Sequence, residues 1–243
     1  MYKAISKFYD YIQSEIDYNK YAIYFDKLIK RNKKDTKMVI DLGCGTGNLT
    51  VLLKNMGYDM TGLDVSVEML DKCHEKDKDI LWILQDIVEM DLYGTYDVFV
   101  SFLDTINHIT DKRKLKKAFK LVNTFLNDEG LFIFDINTPY KFEHIYKENI
   151  FYMIEDDLTY IWENNYNRKN KICDMDITFF EKNGKSYKRY DDYHREREYG
   201  IEELTNLVKE VGFEVIGVYK ELTFKDIVDK DERAFFVLKK VNK

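Results

Sequence analysis

The sequence predicts a doubly wound α/β domain built on a parallel sheet, with a small antiparallel sheet inserted late in the chain. Three observations carry that expectation. Apolar runs such as "MVIDLG" and "GLFIFDI" alternate with amphipathic segments, as in a sheet covered on both faces. A glycine-rich turn, "GCGTG" at 43–47, directly follows the first apolar run. Beyond Pro139, the only proline, the pattern switches to period-2 alternation.

Residues 3–30 are expected to be helical, with Ile5, Phe8, Ile12, Ile16, Ile23 and Leu28 on one face. "MVIDLG" reads as the first strand, and Asn48–Met56 as a helix ended near Gly57. "MTGLD" is the second strand, followed by a helix over Ser66–Lys76 with Ser66 as its N-cap. "ILWILQD" and "YDVFVSF" are the third and fourth strands, Lys112–Leu126 a helix, and "GLFIFDI" the fifth strand. "TYIWENNYN", "ICDMDITFF" and "SYKRYDDYHRERE" then read as antiparallel strands, joined at "KNGK" (182–185) by a hairpin turn. Cys173, Met175, Ile177 and Phe179 share one face, and Asp174, Asp176 and Thr178 the other. A helix at Ile201–Val211, stopped by Gly212, leads to the strands "FEVIGVY" and "AFFVLKK". The expected organisation is a helical lid over 1–36, a core of 37–139 and 199–243, and a β insertion over 140–198 roofing a substrate pocket.

Composition narrows the function classes. The chain of 243 residues has 38 basic and 44 acidic side chains, a formal charge of −6, and no basic stripe, which disfavours a nucleic-acid partner. Its most basic stretch, "KLIKRNKKDTK" at 27–37, reads as a solvated helix end. The cysteines Cys44, Cys73 and Cys173 form no CxxC pair, so neither a disulfide framework nor a structural metal is expected, and a cytoplasmic location fits. The first residues, "MYKAISKFYDYI", do not resemble a signal peptide, and no membrane association is expected.

The chemistry gathers at strand ends. A glycine turn between strand and helix lets backbone approach a ligand and aims helix N–H groups at an anion. The dinucleotide pattern G-x-G-x-x-G fails, because position 48 is Asn48. Asp64 closes the second strand, where a carboxylate can accept both hydroxyls of a ribose; otherwise such a residue caps a loop. Asp86 closes the third strand beside Ile87, in position to read an adenine edge or to cap the next turn. His108 follows the fourth strand, and His194, Arg195 and Arg197 approach the end of the inserted sheet.

Taken in order, "DLGCGTG", "LDVSVEML" and "QDI" make the chain resemble the class I S-adenosylmethionine-dependent methyltransferases over nearly its whole length. The helical N-terminus and late insertion are similar to the branch containing glycine/sarcosine N-methyltransferases and amino-sugar N,N-dimethyltransferases. The resemblance implies a seven-stranded, mostly parallel sheet with an antiparallel last strand, and S-adenosylmethionine as cofactor. It implies that Asp41, Gly43, Cys44, Gly45 and Gly47 cradle the methionine part, and that Asp64 holds the ribose. Val65, Met69, Asp86 and Ile87 would surround the adenine, Phe102 would lie by the sulfur and methionine chain, and Tyr21 matches a cofactor-side aromatic that is often tryptophan. It makes Tyr9 a lid tyrosine beside the methyl group and His108 the active-site histidine, with Asp104 and His108 towards the substrate; Arg197, on a charged edge strand that is otherwise simply solvated, would bind a substrate carboxylate or phosphate. Relatives often carry Gly-Asn or Ser-Ser where this chain has Leu103–Asp104.

The expected activity is methyl transfer to a small molecule at nitrogen or oxygen, with His108 as base and Tyr9 orienting the nucleophile. An RNA or protein methyltransferase, a nicotinamide-dependent oxidoreductase and a non-enzymatic cofactor-binding module are the alternatives. The oligomeric state is open, a homodimer being one option.

Overall fold

The computed structural model describes residues 3–241. Its elements in order are α1 (Lys3–Ile12), α2 (Tyr18–Asn32), β1 (Met38–Leu42), α3 (Asn48–Asn55), β2 (Asp59–Asp64), α4 (Val67–Lys76) and β3 (Leu81–Leu84). Then come β4 (Tyr96–Ser101), α5 (Lys112–Phe125), β5 (Leu126–Asn137), β6 (Ile150–Ile154), β7 (Leu158–Asn167), β8 (Ile172–Asn183) and β9 (Ser186–Arg197). α6 (Ile201–Glu210), β10 (Phe213–Lys220) and β11 (Arg233–Lys240) complete the fold.

One sheet has the order β10-β11-β5-β4-β1-β2-β3, in which β11 runs antiparallel to both neighbours. The order reverses between β1 and β4, and that switch point leaves a crevice at the carboxyl ends of the strands. Alternate residues of each central strand feed two cores. Val39, Val98, Leu131 and Ile133 pack against α2, α3 and α4, whereas Ile40, Phe99, Phe132 and Phe134 pack against α5 and α6. Phe119 of α5 meets Phe132 and Phe134 at 5.6 and 5.4 Å between centroids, a contact whose loss to alanine would cost about 3–5 kcal/mol.

β6 to β9 form a separate antiparallel sheet in sequence order. Cys173, Met175, Ile177 and Phe179 of β8 are buried on its inner face, as the alternation predicts. Asn183 pairs with Ser186 across a two-residue turn whose first residue, Gly184, has φ +63°, a conformation costly for any residue with a Cβ. β6 and a π-helical turn at Lys141–Tyr146 were not anticipated from the sequence.

The single helix expected over 3–30 is two helices. Asp17 caps the second, its side chain accepting from the Lys20 N–H at 3.2 Å. The break lets each helix serve a different sheet. α2 buries Phe25, Leu28 and Ile29 against the large sheet, while α1 stacks Phe8 on Phe179 of the small one at 4.8 Å. No helix among the described residues is long and apolar enough to cross a membrane.

Candidate active site

The glycine turn is shaped by backbone and by Asp64. Gly43, Gly45 and Gly47 all have positive φ (68°, 55° and 78°), which excludes ordinary residues. The Leu63 carbonyl accepts from the N–H groups of Gly43 and Cys44, folding the turn back over β2. Asp64 accepts from Gly45 N–H and from Ser66 N–H, both at 2.9 Å. This carboxylate therefore clamps the turn while its remaining lone pairs face the crevice. Gly47 packs on Trp82, so its place is structural.

Behind the turn, Asp41 is 2% exposed and accepts from Thr50 Oγ1 at 2.7 Å, while its Oδ1 has no partner. Burial pushes this carboxyl up to about 7 against the Thr50 hydrogen bond, which alone would lower it. A buried carboxylate oxygen without a donor is matched by an ammonium group.

A cavity of about 450 Å³ opens in front of the turn, lined by Tyr9, Gly43, Gly45, Asp64, Val65, Met69, Asp86, Ile87 and His108 among others. Asp86 Oδ1 accepts from Val88 N–H at 3.0 Å, so it also caps the short turn after β3. A smaller cavity holds Asp41, Cys44 and Phe102 together with Tyr18 and Tyr9. The larger space is of the size of a nucleoside, whereas the smaller, about 20 Å³, is a narrow cleft beside the unpartnered Asp41 oxygen.

A third cavity, of about 70 Å³, lies beneath the inserted sheet. Apolar walls come from Ile5, Ile12, Trp162, Met175 and Ile177, and polar ones from Asp104, His108, His194 and Glu196. Tyr9 and Leu103 border all three cavities, at their seam. Burial holds the Tyr9 phenol well above its usual range, with Tyr18 nearby adding to the effect, so the hydroxyl keeps its proton.

The polar groups of the third cavity are set by a strained loop. Leu103 and Asp104 are consecutive left-handed residues, φ 56° and 55°, costing about 1–3 kcal/mol each unless their surroundings hold them. Asn107 splices this loop to both sheets: its Oδ1 accepts from Asn137 N–H (2.9 Å) and its Nδ2 donates to the Arg197 carbonyl (2.9 Å). Asp104, His108 and Glu196 each present a donor atom within 4.8 Å of the others, close enough for one cation to touch all three.

The electrostatics differ across this trio. Burial raises Asp104, but Arg233, then His108 and Lys141, pull it below the usual carboxylate range. Burial lowers His108, opposed by Asp104 and by a hydrogen bond with the Arg195 backbone, so the ring is neutral at pH 7. Burial, then the nearby Asp104, drives Glu196 well above its usual range, although Asn137 donates to it at 2.9 Å. His194 is pulled down to about 4, by burial first and then by His108.

Three expected site residues stand outside these cavities, Gly47 against Trp82 being one. Tyr21 borders none of these cavities; its ring packs on Phe102 at 4.5 Å and its hydroxyl donates to Glu221 at 2.5 Å. Tyr18, the first residue of α2, lines the small cavity instead. Arg197 is likewise turned away, over the Tyr199 ring and beside the Asn170 carbonyl. Alternation along β9 turns His194 and Glu196 inward and Arg195 and Arg197 outward. Glu196, Tyr18 and Trp162 were not singled out from the sequence, although the inward phase of β9 was open to deduction from β8.

The sequence pattern of a family described as "Methyltransferase domain" matches residues 39–130. A chain from Geobacillus sp. (strain WCH70), provisionally named a methyltransferase, is 29% identical over 246 residues, covering 98% of this chain and 99% of its own. An S-adenosylmethionine-dependent methyltransferase of Clostridium acetobutylicum has a crystal structure that superposes with a TM-score of 0.91. It is 30% identical, with 99% of each chain covered. A sugar N-methyltransferase from Streptoalloteichus shares the fold at a TM-score of 0.80 and 15% identity, over 96% of this chain and 91% of its own.

Proposed function

Because the chain belongs to the S-adenosylmethionine-dependent methyltransferases, we propose that it methylates the nitrogen of a small amine bound beneath the inserted sheet. The observation carrying this reading is the grouping of Asp104, His108 and Glu196 within 4.8 Å, beside a cavity of about 70 Å³. Two carboxyl groups and a neutral imidazole favour a cationic occupant and disfavour an anionic one. The cavity admits only a few heavy atoms, and its apolar wall of Ile5, Trp162 and Ile177 suits a short hydrocarbon portion.

When bound, S-adenosylmethionine supplies an electrophilic methyl group on its sulfonium. Asp41 would hold the cofactor's amino group on its unpartnered Oδ1, and Asp64 its ribose hydroxyls. Asp104, which Arg233 keeps ionised, would draw the amine in as its ammonium form, and Glu196 would offer it a hydrogen-bond partner. His108 would take the proton from that nitrogen, its lowered proton affinity keeping the base available near neutrality. Tyr9 would keep its hydroxyl at the seam, where the nucleophile approaches the methyl, and Ile5 and Trp162 would exclude water. Alignment of this kind supplies up to about 7–11 kcal/mol of a displacement barrier. In this reading residues 1–36 and 140–198 cover the acceptor, and 37–139 with 199–243 bind the cofactor.

The test is a panel of small amines and matched alcohols incubated with the protein and cofactor, with S-adenosylhomocysteine as the readout. Turnover confined to amines supports the reading. Turnover of alcohols alone, or only of RNA or protein, sinks it.

A further inference from the structure

Arg233, at the start of β11, lies at the centre of a charged cluster that borders the third cavity only through Asp104. Its side chain is 10% exposed and faces three carboxylates from three different elements. Nη1 pairs with Asp135 of β5; Nη2 donates to Asp104 Oδ1 at 3.1 Å; and Nε stands 3.3 Å from Glu221 Oε1. Asp135 also accepts from the Asp104 backbone N–H at 3.4 Å. Arg233 and Asp135 therefore grip both the side chain and the backbone of the second left-handed residue.

The same guanidinium reaches the cofactor side. Glu221 Oε1 accepts from the Tyr21 hydroxyl at 2.5 Å, and the Tyr21 ring backs Phe102, which walls the small cavity beside Asp41. One planar, permanently charged fork thus ties the Leu103–Asp104 loop, β5 and α2 together. We infer that Arg233 is a positioning residue, setting the acceptor-side carboxylate Asp104 and the cofactor-side wall of Tyr21 and Phe102 in register. Leu103, the residue before this anchored Asp104, borders all three cavities.

A purely stabilising ion pair is replaceable by neutral groups of similar size with little loss, whereas a positioning one is not. The inference takes its acceptor from the amine reading, but two of its readouts need no acceptor. In the full-length protein, Arg233→Met with Asp135→Asn removes both buried charges together. That double variant leaves Asp104 without its guanidinium and is expected to fold but to melt below the parent temperature. It should bind cofactor about three- to thirtyfold more weakly, with faster amide exchange at Leu103 and Asp104. With an amine substrate, KM should rise by more than kcat falls. Arg233→Lys, which can hold one carboxylate at a time but not all three, should fall between the two. If the double variant does not fold, Arg233→Lys carries the test alone through the same measurements. Parent-like cofactor affinity and exchange in whichever variant folds would overturn the inference. Failure of every amine to turn over would count against the amine reading and leave these two readouts standing.

Discussion

His108 Nε2 stands 3.8 Å from Asp104 Oδ2, where the cofactor and acceptor cavities meet. Desolvation outweighs this carboxylate, so the imidazole holds its proton less tightly than an exposed histidine. Its base form therefore persists below pH 6.5. The His108 limb of kcat/KM should rise with pH about a midpoint below the ordinary histidine range, under the limb contributed by an amine's own titration. His108→Ala should remove the lower limb and slow the rate by about 10²–10⁴-fold, with cofactor affinity retained. A parent-like profile in the variant would make the histidine structural.

Burial of His194 gives a stability prediction of related sign. Its affinity for a proton is lower in the folded chain, about 4, than in the unfolded one. Between that value and about 6.5, the ordinary histidine range, the unfolded state binds more protons. Its contribution to stability is present above that window and is lost as pH falls through it. Denaturation curves should steepen in their pH dependence there, and His194→Gln should flatten them.

Asp41 predicts how cofactor binding responds to pH. With its carboxyl at about 7, raising the pH towards neutrality ionises the group that meets an ammonium, so affinity should rise and then level. Asp41→Asn should weaken binding by about 1.5–3 kcal/mol and abolish that rise. Calorimetry between about pH 6 and 8 (the span over which a group at about 7 titrates) tests both, and an unchanged slope in the variant would remove Asp41 from the cofactor site.

Gly45 carries a steric prediction. A Cβ at this position would sit 3.6 Å from Tyr9 Cε1, within the space between turn and lid, in a left-handed conformation (φ +55°). Gly45→Val should abolish cofactor binding while far-UV circular dichroism stays parent-like. Retained affinity would mean that the cofactor does not pass between Gly45 and Tyr9.

The lid is latched to the same turn. Asp10 accepts from Thr46 Oγ1 at 2.5 Å and from Asn48 Nδ2 at 3.1 Å, and Lys76 donates to it at 2.8 Å. Asp10→Ala should speed cofactor release about three- to tenfold, since a net of roughly 1 kcal/mol is at stake in such bonds. Stopped-flow displacement with unchanged rates would show that α1 does not gate the cavity.

These residues differ in how far the sequence reveals them. Asp41, Asp64 and Asp86 close successive strands next to short, glycine-containing or capping segments, so local order alone puts them at one sheet edge. Tyr18 and Glu196 required a phase: a helix break at Asp17 in one case, the inward register of β9 in the other. Arg233 could not be read in this way. Its partners Asp135 and Asp104 lie 98 and 129 residues away, and only the antiparallel pairing of β11 with β5 brings them together.

Product identity tests the central claim most directly. The protein would be supplied with cofactor carrying a ¹³C-labelled methyl group and with the best amine from the panel, alongside Glu196→Gln. The account predicts a new N-methyl carbon resonance with the parent protein. It predicts a raised KM, with cofactor affinity intact, in the variant. Label appearing on oxygen or carbon, or an amine handled equally well by Glu196→Gln, would contradict the assignment of the Asp104–His108–Glu196 cavity as the amine site.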